Sequence, residues 1–270
     1  MCIDAKEALT WWTPDPLAIG AVVVSSAAYG VGLRRLWREV GRGHGIRRWE
    51  AACFALGQLT LLLALVSPID RLSDLLFSAH MTQHEIIMVV SPPLVVLGRP
   101  GVALAWLSPR LGRLTSRLGS APLLALVAHA IVVWAWHVPA LFEAALRSEA
   151  VHAVQHATFF ATAALFWWSI VRGRYGRAGY GLAVAFVFAT SMHTSVLGAL
   201  MTVAERVWYP LYVDRTVAAG FDPVEDQQLA GLVMWVPAGV VLVLAALALF
   251  AAWLGEAGRR VARAERRRLS

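Results

Sequence analysis

Seven apolar stretches, separated by short polar segments, run the length of this chain. They cover Leu17–Leu33, Trp49–Ser67, Phe77–Leu97, Pro122–His137, Val151–Val171, Gly181–Met201 and Gln228–Leu254. A hydrocarbon core of about 30 Å needs about 20 residues of helix. The pattern therefore predicts an all-α fold, a polytopic membrane bundle of seven transmembrane helices. The fourth stretch is short as drawn and is expected to start a few residues earlier. Ser91-Pro92-Pro93-Leu94 interrupts the third, and proline frees backbone carbonyls, so a kink is expected near Met88–Val90. Gly98-Arg99-Pro100-Gly101 then terminates that span. No linker, low-complexity tract or repeat divides the sequence, so residues 1–270 read as one domain.

Composition agrees with this reading. Hydrophobic residues make up 59% and charged residues 15%, against roughly 25% charged in globular proteins. The two cysteines, Cys2 and Cys53, lack C-x-x-C spacing and suggest no disulfide framework. A net charge of +7 could point to nucleic acid, but its placement argues for topology instead. Nineteen of the 24 basic residues fall in the first, third and fifth connections and in the tail from Arg259. The other side keeps only Lys6, Arg71, Arg147, Arg206 and Arg215. The positive-inside rule then gives an outside N-terminus (residues 1–16) and a basic cytoplasmic tail (residues 255–270). The basic charge reads as a topology signal and a contact with anionic lipid, not with nucleic acid. The first sixteen residues lack the basic n-region of a cleavable signal, and Trp11 and Trp12 suit a membrane interface.

Chemistry enters with the histidines. His80-x-x-x-His84 lies in the third stretch, His152-x-x-x-His156 in the fifth and His193 in the sixth. An ionisable residue inside a span is costly without a partner and is a functional hypothesis in itself. Four residues make about one helical turn, so each pair projects two imidazoles from one face. Two such pairs on separate helices are what a transition-metal or haem-iron site requires. At a rise of about 1.5 Å per residue, His84, His156 and His193 share one depth in the outer half. His80, His137 and His152 form a layer above them. The acids gather at that outer end too, and Glu85 is the one acid well inside a span. Imidazole with thioether suits Cu(I), and imidazole with carboxylate suits Cu(II) or Zn(II).

Plainer roles compete for several of these residues. His129 reads as a hydrogen bond between helices, and His137, two residues before Pro139, as a helix-end contact. Methionines commonly fill gaps in cores, Glu85 can pair in protonated form with a neighbouring helix, and the span tryptophans read as packing or interface aromatics. Four paired imidazoles at matched depth exceed what packing needs. The candidate metal ligands are therefore His80, His84, His152, His156 and His193, with His137, Met81, Met192 and Asp226 as accessories. Asp226 precedes the seventh span and suits an N-cap of that helix. Its functional alternative, with Asp70 and Asp74, is a negative mouth and a partner that orients a histidine.

The run His80-Met81-Thr82-Gln83-His84, followed by Ser91-Pro92-Pro93-Leu94-Val95-Val96-Leu97-Gly98-Arg99-Pro100, resembles the seven-helix CtaG family of cytochrome c oxidase assembly factors. Trp136-His137-Val138-Pro139, the second histidine pair through Phe166-Trp167-Trp168, Tyr209-Pro210-Leu211-Tyr212 and Asp226-Gln227-Gln228 through Trp235-Val236-Pro237 are similar to its later blocks. The resemblance covers about Leu65 to Leu244. It implies a bacterial inner-membrane protein, not an enzyme, that helps assemble a haem-copper oxidase by handling copper. Its implied partners are oxidase subunits and a periplasmic copper chaperone. Two other functions fit the residues: a haem-ligating electron carrier, and an intramembrane zinc hydrolase with Asp226 or Glu85 as base. A retinal receptor does not fit, because the only lysine is Lys6. The topology is directly testable. Alkaline phosphatase fused after Ser270 is expected to be inactive, and high activity there overturns the orientation and every depth inferred from it.

Overall fold

The computed structural model describes residues 12–118, 121–172 and 179–269, without the side chains of 116–118 and 260–269. Lys6, Trp11, Arg174 and Arg177 of the sequence argument lie outside the described residues. The chain forms α1 (Pro16–Val40), α2 (Arg48–Val66), α3 (Pro68–Leu75) and α4 (Phe77–Glu85). A π-helical turn (Ile86–Val90) joins α4 to α5 (Ser91–Leu97), and α6 (Pro100–Leu107) and α7 (Pro109–Leu118) follow. Then come α8 (Pro122–Trp136), α9 (Pro139–Arg147), α10 (Glu149–Arg172), α11 (Gly179–Thr202), α12 (Leu211–Ala218) and α13 (Pro223–Leu269).

Five of these helices, α1, α2, α10, α11 and α13, are long and apolar enough to cross a membrane. Two bent pairs bring the number to as many as seven: Phe77–Leu97 with α6 at 57°, and α8 with α9 at 74°. The fourth span does not extend upstream as expected. It starts at Pro122 behind the non-helical Ala121, and its 15 residues reach about 22 Å.

Proline sets many of these starts. Pro16, Pro68, Pro100, Pro122 and Pro139 each open a helix, where a missing N–H costs nothing and φ is already helical. Inside the third span proline acts differently. Pro92 cannot donate to the carbonyl of Met88 four residues back. That carbonyl instead accepts from the indole N–H of Trp167 on α10, at 3.1 Å. Trp167, read from sequence as a packing or interface aromatic, thus fills a hydrogen-bond deficit that proline creates. The expected disturbance near Met88–Val90 is the π-helical turn, while the sharp bend comes later, at Gly98–Arg99. Arg99 adopts the left-handed conformation there, with φ of 55°.

Five spans close a ring. The third (α4 through α5) packs on α13, α13 on α11, α11 on α8, α8 on α10, and α10 back on the third. The first two spans lie outside this ring, α2 against α5 and α1 against α6. Helix pairs in lipid gain little from apolar burial, so close approach through small residues matters. At the crossing of α11 and α13, a Cβ on Gly231 would stand 2.5 Å from the Gly198 carbonyl oxygen and 2.7 Å from the Thr202 backbone nitrogen. Backbone cannot yield as a side chain can. Gly231→Val is expected to cost about 1–3 kcal/mol by overpacking, read as a lower thermal midpoint in detergent. Gly239→Val, where a Cβ meets nothing within 4 Å, should leave the midpoint unchanged.

Candidate metal centre

The two histidine pairs face each other where α4 meets α10. Ring centroids lie 4.3 Å apart for His80 and His84, and 4.1 Å for His152 and His156. Across the helices, His80 is 5.4 Å from His152, and His84 is 5.4 Å from His156. Imidazoles that share one ion at about 2.0–2.1 Å place their centroids roughly 5 Å apart, so this spacing suits a shared ion. As the side chains stand, no three His, Cys, Asp or Glu groups among the described residues converge on one point. An ion there requires rotation of rings already at the right separation.

His137, from the end of α8, joins the cluster with its ring 6.4 Å from that of His84. Its Nδ1 lies 2.7 Å from the Val133 carbonyl oxygen. A carbonyl only accepts, so Nδ1 carries the proton and Nε2 keeps the lone pair. That Nε2 is buried without a hydrogen-bond partner. Among the described residues the same holds for both ring nitrogens of His80 and His84, and for the Nε2 atoms of His152 and His156. A buried polar group left unpaired costs about 1–3 kcal/mol. Seven such nitrogens in one place are unusual for a folded protein and fit a site built for a cation.

The surroundings hold the cluster at one end of the bundle. His80 and His84 are each 1% exposed, whereas His152 is only half-buried, and the Asp70 and Asp15 carboxylates act on it electrostatically. Above the rings, Phe142 of α9 lies 5.0 Å from His80 and stacks on Tyr209 at 4.1 Å. The Tyr209 hydroxyl donates to the His137 carbonyl at 2.9 Å, and that of Tyr212 to the Ser73 carbonyl at 2.6 Å. Gln83, on the face of α4 turned to α2 and α3, donates to Asp70 at 2.8 Å and to the Ala64 carbonyl at 2.9 Å. Burial and, after it, the neighbouring Asp70 raise the Asp74 carboxyl above the usual carboxylate range.

Asp226 does not cap its own helix. Asp222 does that, accepting from Val224 N at 2.8 Å and Glu225 N at 3.0 Å. Asp226 instead reaches across the bundle to the start of α4, accepting from Phe77 N at 2.7 Å, Ser78 N at 3.3 Å and the Ser78 hydroxyl. Both its oxygens are thereby committed, and it meets the histidines only through the helix that carries them.

The structure separates other residues that the sequence grouped together. The expected layer of His84, His156 and His193 does not form, because α11 packs mainly on α13 and α8. His193 faces His129 there, with ring centroids 6.5 Å apart. Met192 is half exposed on α11, and Met81 is buried in the main core. Sequence reading passed over Gln155, fully buried one residue before His156 with both amide atoms unpartnered. The signal for it was a polar residue inside the H-x-x-x-H turn. It also missed buried Glu50 at the opposite end, 3.9 Å from Arg99 and 4.0 Å from Arg172.

The family model described as cytochrome c oxidase caa3 assembly factor (Caa3_CtaG) matches residues 27–256. Uncharacterized proteins of Mycobacterium bovis and Mycobacterium tuberculosis are each 26% identical over 283 residues, covering 96% of this chain and 42% of theirs. One of Mycobacterium leprae is 24% identical over 282 residues, covering 95% and 41%. The chain thus spans about two fifths of the length of these relatives. No solved structure matches.

The Asp226 contact yields a test. An Asn side chain caps a local helix well, but its amide NH2 cannot accept the hydrogen bond that one carboxylate oxygen takes here. Asp226→Asn is expected to destabilise by about 1–3 kcal/mol, since it leaves a buried donor unpaired. Asp222→Ala should cost about 1 kcal/mol, as for an ordinary cap. Equal thermal midpoints for Asp226→Asn and wild type in detergent would remove the cross-bundle cap from the account.

Proposed function

The chain belongs to the cytochrome c oxidase caa3 assembly factor family, and from that membership we propose that it aids assembly of a haem-copper oxidase by holding copper in the histidine cluster and passing it on. The reading is carried by five imidazoles at centroid spacings of 4.1 to 6.4 Å, with buried nitrogens that have no hydrogen-bond partner among the described residues. Each is an imidazole donor, and together they outnumber what one ion needs. Overlapping pairs let an ion exchange one ligand at a time, which suits a carrier better than a permanent site.

In this reading the chain crosses a bacterial inner membrane seven times, each bent helix pair counting as one span. The N-terminus and the histidine end face the periplasm, and the arginine-rich end faces the cytoplasm. Half-buried His152, beside Asp70, is the point of uptake from a periplasmic donor, and oxidase subunits receive the metal. Copper is cargo, and no catalytic step is assigned. Phe142 and Phe159 pack 5.0 and 4.7 Å from the rings of His80 and His84, a spacing that favours a bare ion over a porphyrin plane.

The test uses full-length protein purified without a polyhistidine tag. Wild type should retain copper by mass spectrometry. His84→Ala combined with His156→Ala should lose at least one equivalent of that copper, and producing cells should lose oxidase activity at unchanged protein level. Undiminished copper in the double variant, or zinc in place of copper in wild type, rejects the proposal.

A further inference from the structure

Below the histidine cluster, the ring of five spans lines a cavity of about 20 Å³, room for about one water-sized occupant. Every span of the ring contributes to its wall. Glu85 and Met88 come from the third, His129 from α8, Trp167 from α10, Thr190 from α11 and Met234 from α13. Two polar atoms of wall residues have no hydrogen-bond partner among the described residues: Glu85 Oε2 and Thr190 Oγ1. Their residues are 8% and 3% exposed, so solvent does not satisfy them.

The state of His129 follows from its neighbour. Thr162 spends its hydroxyl proton on the Thr158 carbonyl at 2.8 Å. The Nδ1 of His129, 3.2 Å from that hydroxyl oxygen, must therefore be the donor. The lone pair then sits on Nε2, the usual arrangement of a histidine ligand held by a second hydrogen bond. Met88 and Met234 are 5% and 2% exposed and add thioethers to the wall. Imidazole and thioether are donors for Cu(I), and one carboxylate supplies the countercharge that a cation needs in a buried place. The π-helical turn that carries Met88 begins directly after Glu85, and such turns recur at functional sites.

We propose that this cavity is a second cation site, distinct from the five-histidine cluster, which binds one Cu(I) through Glu85, His129 and the thioethers of Met88 and Met234. Glu85 directly follows His84, so the two sites share one helix and sit one residue apart along it.

The experiment loads tag-free full-length protein with Cu(I) under a competing chelator and measures stoichiometry and X-ray absorption. Wild type should bind one equivalent more than Met88→Leu combined with Met234→Leu, a pair of volume-conserving changes that cores tolerate. The double variant should also lose sulfur scattering at copper. Glu85→Gln should weaken the same equivalent at least tenfold. His80→Ala combined with His156→Ala should keep that equivalent and its sulfur signal, even if the upper cluster binds no copper. Equal stoichiometry and equal sulfur scattering in wild type and the methionine variant would overturn the proposal, and so would wild-type copper without sulfur ligands, leaving the cavity a water site.

Discussion

The carboxylate of Asp226 on the first turn of α4 is the contact on which the rest of the arrangement depends. A helix start leaves its first four N–H groups without intrahelical partners. Here the N-cap position is Leu76, which offers no side-chain acceptor. Inside a membrane protein no bulk water fills that gap. The acceptor comes instead from α13, almost 150 residues away in sequence, as a charge that binds a backbone N–H more strongly than a neutral group would. It also favours the positive end of the helix dipole. The contact fixes both the depth and the rotation of α4. Its faces then follow: His80 and His84 toward α10, Gln83 toward α2 and α3, Glu85 toward the central cavity.

Two kinds of buried polar group coexist in this bundle. Structural ones are satisfied: the Trp167 indole takes the carbonyl that Pro92 cannot reach, the Tyr209 and Tyr212 hydroxyls tie α12 and its approach to His137 and Ser73, and Gln227 joins Trp208 N to the Arg206 carbonyl. The unsatisfied ones concentrate in the histidine cluster and in the cavity beneath it. Packing alone selects against such groups, because each one costs stability that an apolar residue of equal volume would not. Their concentration in these two adjoining places separates them from ordinary interhelical hydrogen bonds.

Much of this was legible in the sequence, and the remainder was lost for definite reasons. Length and hydropathy located each long helix to within a few residues, apart from the extended ends of α1 and α13, because a bilayer imposes span length directly. The i, i+4 spacing placed His80 with His84 and His152 with His156, because helical period is a local property. Neighbour relations between helices are not local. His193 shares a nominal depth with His84, yet it sits on a helix that packs on α13 and α8, so its partner is His129. His137 looked like a helix-end contact, and it does make one, but its other nitrogen stays buried without a partner among the described residues, on a ring that neighbours His84. Asp226 lies beside its own helix start in sequence and serves another helix in space.

The same geometry bears on how an ion would travel. His152 is the accessible member, and from it the ring spacings run 4.1 Å to His156, 5.4 Å to His84 and 6.4 Å to His137, with His80 alongside. None of these gaps exceeds what two imidazoles can bridge through one ion after modest side-chain rotation. A carrier needs its successive sites to be similar in affinity, since one deep well would trap the cargo. Five chemically identical donors meet that condition without further tuning. A carboxylate among them would break it by adding a fixed charge at one step. The acids keep to either side of the path: Asp70 and Asp74 at the mouth, Glu85 one residue beyond His84, and Asp226 committed to a helix start. This is the arrangement expected where uptake is electrostatic and transfer is not.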